Sequence, residues 1–212
     1  MGREFIKLFD EWAESYDNTV VGHDEEYKDV FEGYDEILEE VASKVNGTVI
    51  EFGVGTGNLS KKLLEKGHNV IGIEPSKEMR AMAKQKAPTL SLLDGDFLNL
   101  PDLHVKINAI VSTWAFHHLT DEEKNVAIKK YSLLLEKGGK VVFADTVYES
   151  LDAKHAIIED AEQKGYKNLV DDLNREYYTM KDVLREQFTE HGFYVTFKQL
   201  NKFVWLIEAE KQ

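Results

Sequence analysis

Apolar positions along this chain keep two rhythms, and the two alternate. Short, mostly apolar runs stand at Thr48–Phe52, Asn69–Ile73, Leu90–Leu93, Asn108–Ser112 and Val141–Ala144. Runs of this kind predict buried parallel strands. Between them the apolar residues recur at helical spacing. Leu59, Leu63 and Leu64 mark a helix from Gly57 to Lys66 that Gly67 ends, and Pro75 and Ser76 open a second that turns Met79, Met82 and Ala83 inward. A third runs from about Asp121 to Leu135 and is broken by Gly138 and Gly139.

The two ends of the chain depart from this alternation. Phe9, Trp12, Ala13 and Tyr16 share one helical face over residues 9–16, and Asp17–His23 reads as a loop. Asp24 then predicts a cap for a second helix carrying Tyr27, Val30, Phe31, Tyr34, Leu38 and Val41. Both helices precede the first strand, so residues 1–46 are expected to form a cap or lid over a nucleotide-binding domain spanning 47–212. Residues 150–178 are charged and weakly periodic, and predict helices inserted near a substrate site. Thr179-Met180-Lys181-Asp182 predicts a capping box for a helix ending at Gly192. Phe193–Phe197 and Phe203–Ile207 predict an antiparallel hairpin at the sheet edge.

Composition narrows the chemistry. The 212 residues are 42% apolar, enough for one domain with a full core. They contain no Cys, which removes disulfides, thiolate nucleophiles and Cys-ligated metals. Met1–Lys7 lacks the apolar stretch of an export signal, and no run is long enough to span a membrane, so a cytoplasmic protein is expected. The net charge is −13 and uneven: residues 1–46 hold 4 Lys/Arg and 14 Asp/Glu, a net of −10. Such a surface repels nucleic acid. It would attract a cationic ligand, or simply be a solvated face.

The stretch Val49-Ile-Glu-Phe-Gly-Val-Gly-Thr-Gly-Asn-Leu59 joins the first strand to the first helix through Gly53, Gly55 and Gly57. Strand, glycine turn and helix make half of a nucleotide-binding unit in which a ligand lies on bare backbone. The turn carries no Lys or Arg before Lys61, lacks the Gly-Lys-Ser/Thr of a phosphate loop, and has Asn58 where a dinucleotide fingerprint has its third glycine. Glu51 stands at its mouth instead. A carboxylate beside a glycine turn suits a ligand bearing positive charge, such as the ammonium and sulfonium of S-adenosyl-L-methionine (AdoMet).

With these features the chain resembles the class I AdoMet-dependent methyltransferases over nearly its whole length. Glu51–Gly57 resembles their first motif, Glu74 their ribose-binding acid, Asp94-Gly-Asp-Phe97 their adenine-side motif, and Leu135-Glu-Lys-Gly-Gly-Lys-Val141 the turn before their fifth strand. The opening Phe9-Asp-Glu-Trp-Ala-Glu-Ser-Tyr-Asp17 is similar to that of the small YrrT-type methyltransferases of Bacilli. Asn108 departs from the Asp that many relatives carry at the start of strand four. The resemblance implies an α/β, Rossmann-like, doubly wound, seven-stranded mixed sheet of order 3-2-1-4-5-7-6 with the N-terminal cap.

It also implies site roles. Gly53, Gly55 and Gly57 would lie against the methionine part of AdoMet, and Glu51 would receive its ammonium. Glu74 would accept both ribose hydroxyls, Asp96 the adenine amino group, and Phe97 would flank the base. Pro75, Met79 and Thr113 complete the expected cofactor wall, and Trp12 and Tyr16 would cover it. On the catalytic side His117 and His118 follow strand four, where ligands sit in open α/β sheets, and either can act as a general base or simply pack. Tyr16 is the third catalytic candidate. Asp145 reads as a base, a ligand or a turn cap. The histidine pair shows no third ligand in sequence, so no metal site is expected. Asn-Pro-Pro-Tyr and Asp-Pro-Pro-Tyr are absent after strand four, which with the acidic balance leaves a small-molecule substrate for a monomer or homodimer. Two alternatives stay open at this point: a non-catalytic binder of AdoMet or S-adenosylhomocysteine, and a nicotinamide-dependent oxidoreductase, whose ribose acid Glu74 would equally serve.

Overall fold

A computed structural model describes residues 5–212, apart from a few side chains between 8 and 23. Of the Met1–Lys7 stretch read as lacking an export signal, residues 1–4 lie outside the described residues. Five strands form the parallel heart of one sheet: β1 (Thr48–Phe52), β2 (Asn69–Ile73), β3 (Ser91–Leu93), β4 (Ile107–Thr113) and β5 (Leu135–Tyr148). After them come β6 (Thr179–Met180), β7 (Phe193–Gln199) and β8 (Val204–Lys211). The order is β3-β2-β1-β4-β5-β8-β7, with β8 antiparallel to both neighbours. This is the expected order strand for strand. The labels shift by one because two-residue β6 pairs with the end of β5.

The helices are α1 (Ile6–Asn18), α2 (Tyr34–Ser43), α3 (Asn58–Glu65), α4 (Lys77–Lys86), α5 (Asp121–Leu134), α6 (Leu151–Lys164), α7 (Lys167–Arg175) and α8 (Lys181–Glu190). They bury both faces of the sheet. Val49, Ala109, Val111 and Val142 point to one side, with Val41, Leu59 and Leu63. Ile50, Phe52, Ile110 and Phe143 point to the other, with Ile128, Tyr131 and Phe188. Alternate strand residues face opposite sides, so a strand covered on both sides must be apolar throughout. Thr120 caps α5 with its hydroxyl while Glu123 reaches back to the Thr120 N–H. No helix among the described residues is long and apolar enough to cross a membrane.

The cap differs from expectation. α1 continues to Asn18 and passes into a π-helical turn over Thr19–His23, where a loop is predicted. Asp24 does not cap a helix; its Oδ1 accepts from the N–H of Glu26 in a local turn. Turns follow, and α2 starts only after Gly33, whose φ of +72° stops any helix continuing through it. Thr179 is likewise no cap. It pairs with Val147 as a strand residue, and α8 begins without a side-chain cap. Contact with the end of β5 overrides the local capping preference there.

Candidate active site

The carboxyl ends of β1, β2 and β4 open into a mostly apolar cavity. The glycine turn forms its floor. At Gly53 φ is +66° and its N–H donates to the Ile73 carbonyl at 2.9 Å, while a Cβ there would stand 2.5 Å from that of Ala115. Gly55 faces the cavity with nothing beside it, and its N–H donates to Glu74 Oε2 at 2.9 Å. Gly57 is not on the wall; it lets α3 approach α4, a Cβ being 3.1 Å from Ala83 Cα.

Glu74, at the end of β2, is buried and also accepts from the Ser76 N–H at 2.8 Å. Burial pushes its carboxyl up to about 7. Pro75 and Met79 lie beside it on the wall. Beyond β3, Asp96 is held by the N–H groups of Leu98 and Asn99, both at 2.9 Å, and by the Asn99 amide. Phe97 stacks on Phe52 with ring centroids 5.1 Å apart. Thr113 and Tyr16 also line the cavity.

Three expected cofactor residues sit elsewhere. Glu51 lies behind the glycine turn, 1% exposed, and accepts from the Ser60 hydroxyl. Burial pushes its carboxyl up to about 8, with the neighbouring Glu74 adding to the shift. Trp12 meets Tyr16 edge-on and faces a groove with Tyr27, Asp172 and Arg175. Gly57 serves helix packing, as above.

The cap is pinned to the turn by a cluster that sequence reading missed. Asp17 accepts from Thr56 Oγ1 at 2.6 Å, from Asn58 Nδ2 at 3.1 Å and from Lys86 Nζ at 2.7 Å. Asp10 of the same helix accepts from the Ser76 hydroxyl.

The histidine pair divides. His118 is on the cavity wall, held between Phe5 and Phe9. His117 points away, with Nδ1 2.5 Å from Asp145 Oδ1 and Nε2 2.9 Å from Glu176 Oε2. The two carboxylates raise its pKa to about 10 despite burial. With both nitrogens committed, His117 has no lone pair to offer as a general base in this state. Asp145 is a turn cap as well, accepting from the N–H groups of Ala115, Phe116 and His117.

Phe9, Trp114, Ala115 and Glu176 were not legible as site residues. Trp114 is the non-glycine residue with positive φ, +47°, among those described, at the turn leaving β4. Its ring packs against Phe31 and Tyr34. Glu176 ends α7 inside the charged insertion, where composition marks no single carboxylate.

The donor set fits AdoMet. Bare backbone at Gly55, carboxylates at the ends of β2 and β3 for hydroxyl and amino donors, and apolar Phe97 and Met79 make a nucleoside site. The wall carries no Lys or Arg among the described residues, so nothing on it calls for a phosphate.

A methyltransferase domain family model matches residues 49–139. Among solved structures, the chain matches the magnesium protoporphyrin IX methyltransferase of Synechocystis PCC 6803 with bound S-adenosylhomocysteine. Identity is 17%, TM-score 0.66, and coverage 87% of this chain and 86% of that one. DesVI of Streptomyces venezuelae matches at 16% identity and TM-score 0.67, over 94% and 98% of the two chains. The family model and the shared fold, with the relatives that follow, put the chain among the AdoMet-dependent methyltransferases.

Within that class the relatives are bacterial and full-length. Uncharacterized methyltransferases of Anoxybacillus flavithermus and of a Geobacillus species are 56% and 58% identical, over 212 and 213 residues, with 100% of each chain covered. The chain belongs to this methyltransferase family of Bacilli, and the nicotinamide alternative falls with that membership.

Proposed function

We propose that the protein transfers the AdoMet methyl group to a small molecule that reaches the cavity beside His118. The observation that carries this reading is the placement of Glu74. A buried carboxylate at the end of β2, braced by Gly55 and Ser76, retains lone pairs for hydroxyl donors on the cavity side. AdoMet supplies a methyl carbon already activated on sulfonium, so the protein need contribute little beyond binding, alignment and exclusion of water.

The chain's own residues divide these tasks. Glu74 takes the ribose hydroxyls and Asp96 the adenine amino group, with Phe97 against the base. Glu51, buried beside the turn and protonated near neutral pH, braces the loop through Ser60 and leaves the ammonium to the loop's own carbonyls. Tyr16 and Phe9 cover the cavity from the cap, and the Asp17 cluster keeps the cap down, so residues 1–46 act as the lid. The acceptor meets the wall formed by Thr113, Trp114 and His118. The covered cavity and the net charge of −13 favour a small molecule over nucleic acid.

The test is transfer of label from AdoMet to a panel of metabolites, with calorimetry for AdoMet and S-adenosylhomocysteine. Turnover of one metabolite class supports the reading. Binding with no turnover of any would reassign the chain as a binder, and no binding of either compound would remove the cofactor roles altogether.

A further inference from the structure

We propose that His117, His118 and Glu176 form a metal site for a first-row transition ion of the zinc type, with Asp145 as its outer support. The site's use in methyl transfer rests on the function proposed above; its ability to bind the ion does not. One ligand atom from each of the three side chains lies within 4.8 Å of the others. Glu176 Oε2 is 2.9 Å from His117 Nε2 and 3.2 Å from His118 Nδ1. Ligand atoms that each stand about 2.1 Å from a shared ion are themselves roughly 3.0–3.4 Å apart; the two Glu176 separations match this as they stand, and the histidine nitrogens, within 4.8 Å of each other, close on the ion as it binds.

The surroundings match such a site. Metal-ligating histidines hand their other ring N–H to a carboxylate, and His117 Nδ1 has Asp145 Oδ1 at 2.5 Å. Asp145 is itself held by the Phe116 and Thr146 N–H groups, both at 2.7 Å. Two imidazoles and one carboxylate are borderline donors, suited to zinc, cobalt or iron(II) rather than magnesium or calcium.

A proton shared by His117 and Glu176 is the competing account, and it explains those two residues. It does not explain His118. That ring is 8% exposed, is fixed between Phe5 and Phe9 at 4.9 and 5.0 Å, and its Nδ1 has no hydrogen-bond partner among the described residues. Its Nδ1 lies near the Glu176 oxygen without the alignment a hydrogen bond needs. A 3.2 Å approach to a carboxylate oxygen, poorly aligned for a hydrogen bond, satisfies a buried ring nitrogen only weakly, and an ion held between it and Glu176 would satisfy both. Other cations do not fill the role. Lys124 is committed to the Leu119 and Tyr177 carbonyls, and Arg175 reaches only the other Glu176 oxygen, at 3.5 Å.

His118 is also on the cavity wall, which places the ion at the acceptor end. Three protein ligands leave coordination positions open. The acceptor class this selects is a small molecule with an ionisable hydroxyl or thiol. Near the ion such a group loses its proton to water at neutral pH. Its freed lone pair then forms the bond to the methyl carbon as the carbon–sulfur bond breaks, leaving neutral S-adenosylhomocysteine.

The experiment uses full-length protein stripped with a chelator, titrated with zinc chloride by calorimetry and with cobalt chloride by visible absorption. We expect one ion per chain with Kd below about 1 μM, and cobalt bands of a nitrogen–oxygen site. Glu176→Gln and His118→Phe, the latter filling the same slot between Phe5 and Phe9, should each weaken zinc at least 30-fold. Asp145→Asn should weaken it roughly tenfold. Circular dichroism confirms that each variant is folded. Absence of saturable one-to-one binding, or unchanged affinity in folded Glu176→Gln and His118→Phe, overturns the site. AdoMet binding without metal binding would sink this inference and leave the methyltransferase reading standing, and the reverse result would do the opposite.

Discussion

The backbone N–H of Gly55 donates to Oε2 of Glu74 at 2.9 Å, which ties the glycine turn after β1 to the end of β2. One side chain therefore shapes the floor of the cavity and presents negative charge to whatever lies on it. Replacing it by Gln keeps the size but leaves one oxygen as acceptor. Glu74→Gln should weaken AdoMet binding at least tenfold, about 1.4 kcal/mol, measured by calorimetry. An unchanged Kd in a folded variant would remove Glu74 from the ribose.

Two neighbouring glycines should fail differently. Gly53→Ala puts a methyl group 2.5 Å from Ala115 Cβ, and Gly55→Ala puts one into open space; both carry positive φ. The left-handed conformation alone costs about 1–2 kcal/mol. Gly53→Ala adds a clash to that, so its melting temperature should fall further than that of Gly55→Ala. Both should lose AdoMet affinity, Gly55→Ala because its new methyl group stands where the ligand belongs. Equal melting temperatures would contradict the packing described for Gly53.

Glu51 makes stability depend on pH. The folded chain keeps its proton up to about pH 8, whereas the unfolded chain releases it near 4.5. Between those values the folded state binds the extra proton. The contribution is therefore full below about pH 4.5 and is lost as pH rises toward 8. The slope cannot exceed about 1.4 kcal/mol per pH unit for one group. Denaturant melts of the wild type and Glu51→Gln across this window should diverge, with the variant relatively more stable at pH 8. Parallel curves would mean that Glu51 does not titrate there.

Asp17 holds the cap to the turn through Thr56, Asn58 and Lys86. Removing a half-exposed ion pair costs little, but three partners are lost together, so about 1–2 kcal/mol is expected. Asp17→Ala should release AdoMet roughly 5- to 30-fold faster in stopped-flow tryptophan fluorescence. An unchanged release rate would mean that the cap does not gate the cavity.

Much of this arrangement was legible from local pattern. Buried strands must be apolar on both faces, and a turn that bares its backbone must carry glycine, so the strand runs and, by resemblance, their order could be anticipated, and the expected residues Gly53, Gly55, Glu74, Pro75, Met79, Asp96, Phe97 and Thr113 do line one cavity. These signals are short-range: the place of most of these residues follows from the end of the strand they leave. The boundaries of the cap were less legible because a helix start depends on competing turns, and Gly33 won over Asp24.

What the linear chain could not specify is which distant side chains meet. Trp12 and Tyr16 share a helical face, yet of the two Tyr16 lines the cavity, because α1 packs on α4 and leaves Trp12 in the groove with Tyr27, Asp172 and Arg175. His117 and His118 are adjacent and chemically alike, yet one is locked between Asp145 and Glu176 and the other lines the cavity. Sequence determined the scaffold and the cofactor loop through local backbone and burial rules. Tertiary packing alone decided what surrounds the two histidines, because the segment after α7 must fold back onto the turn after β4 before Glu176 reaches either ring.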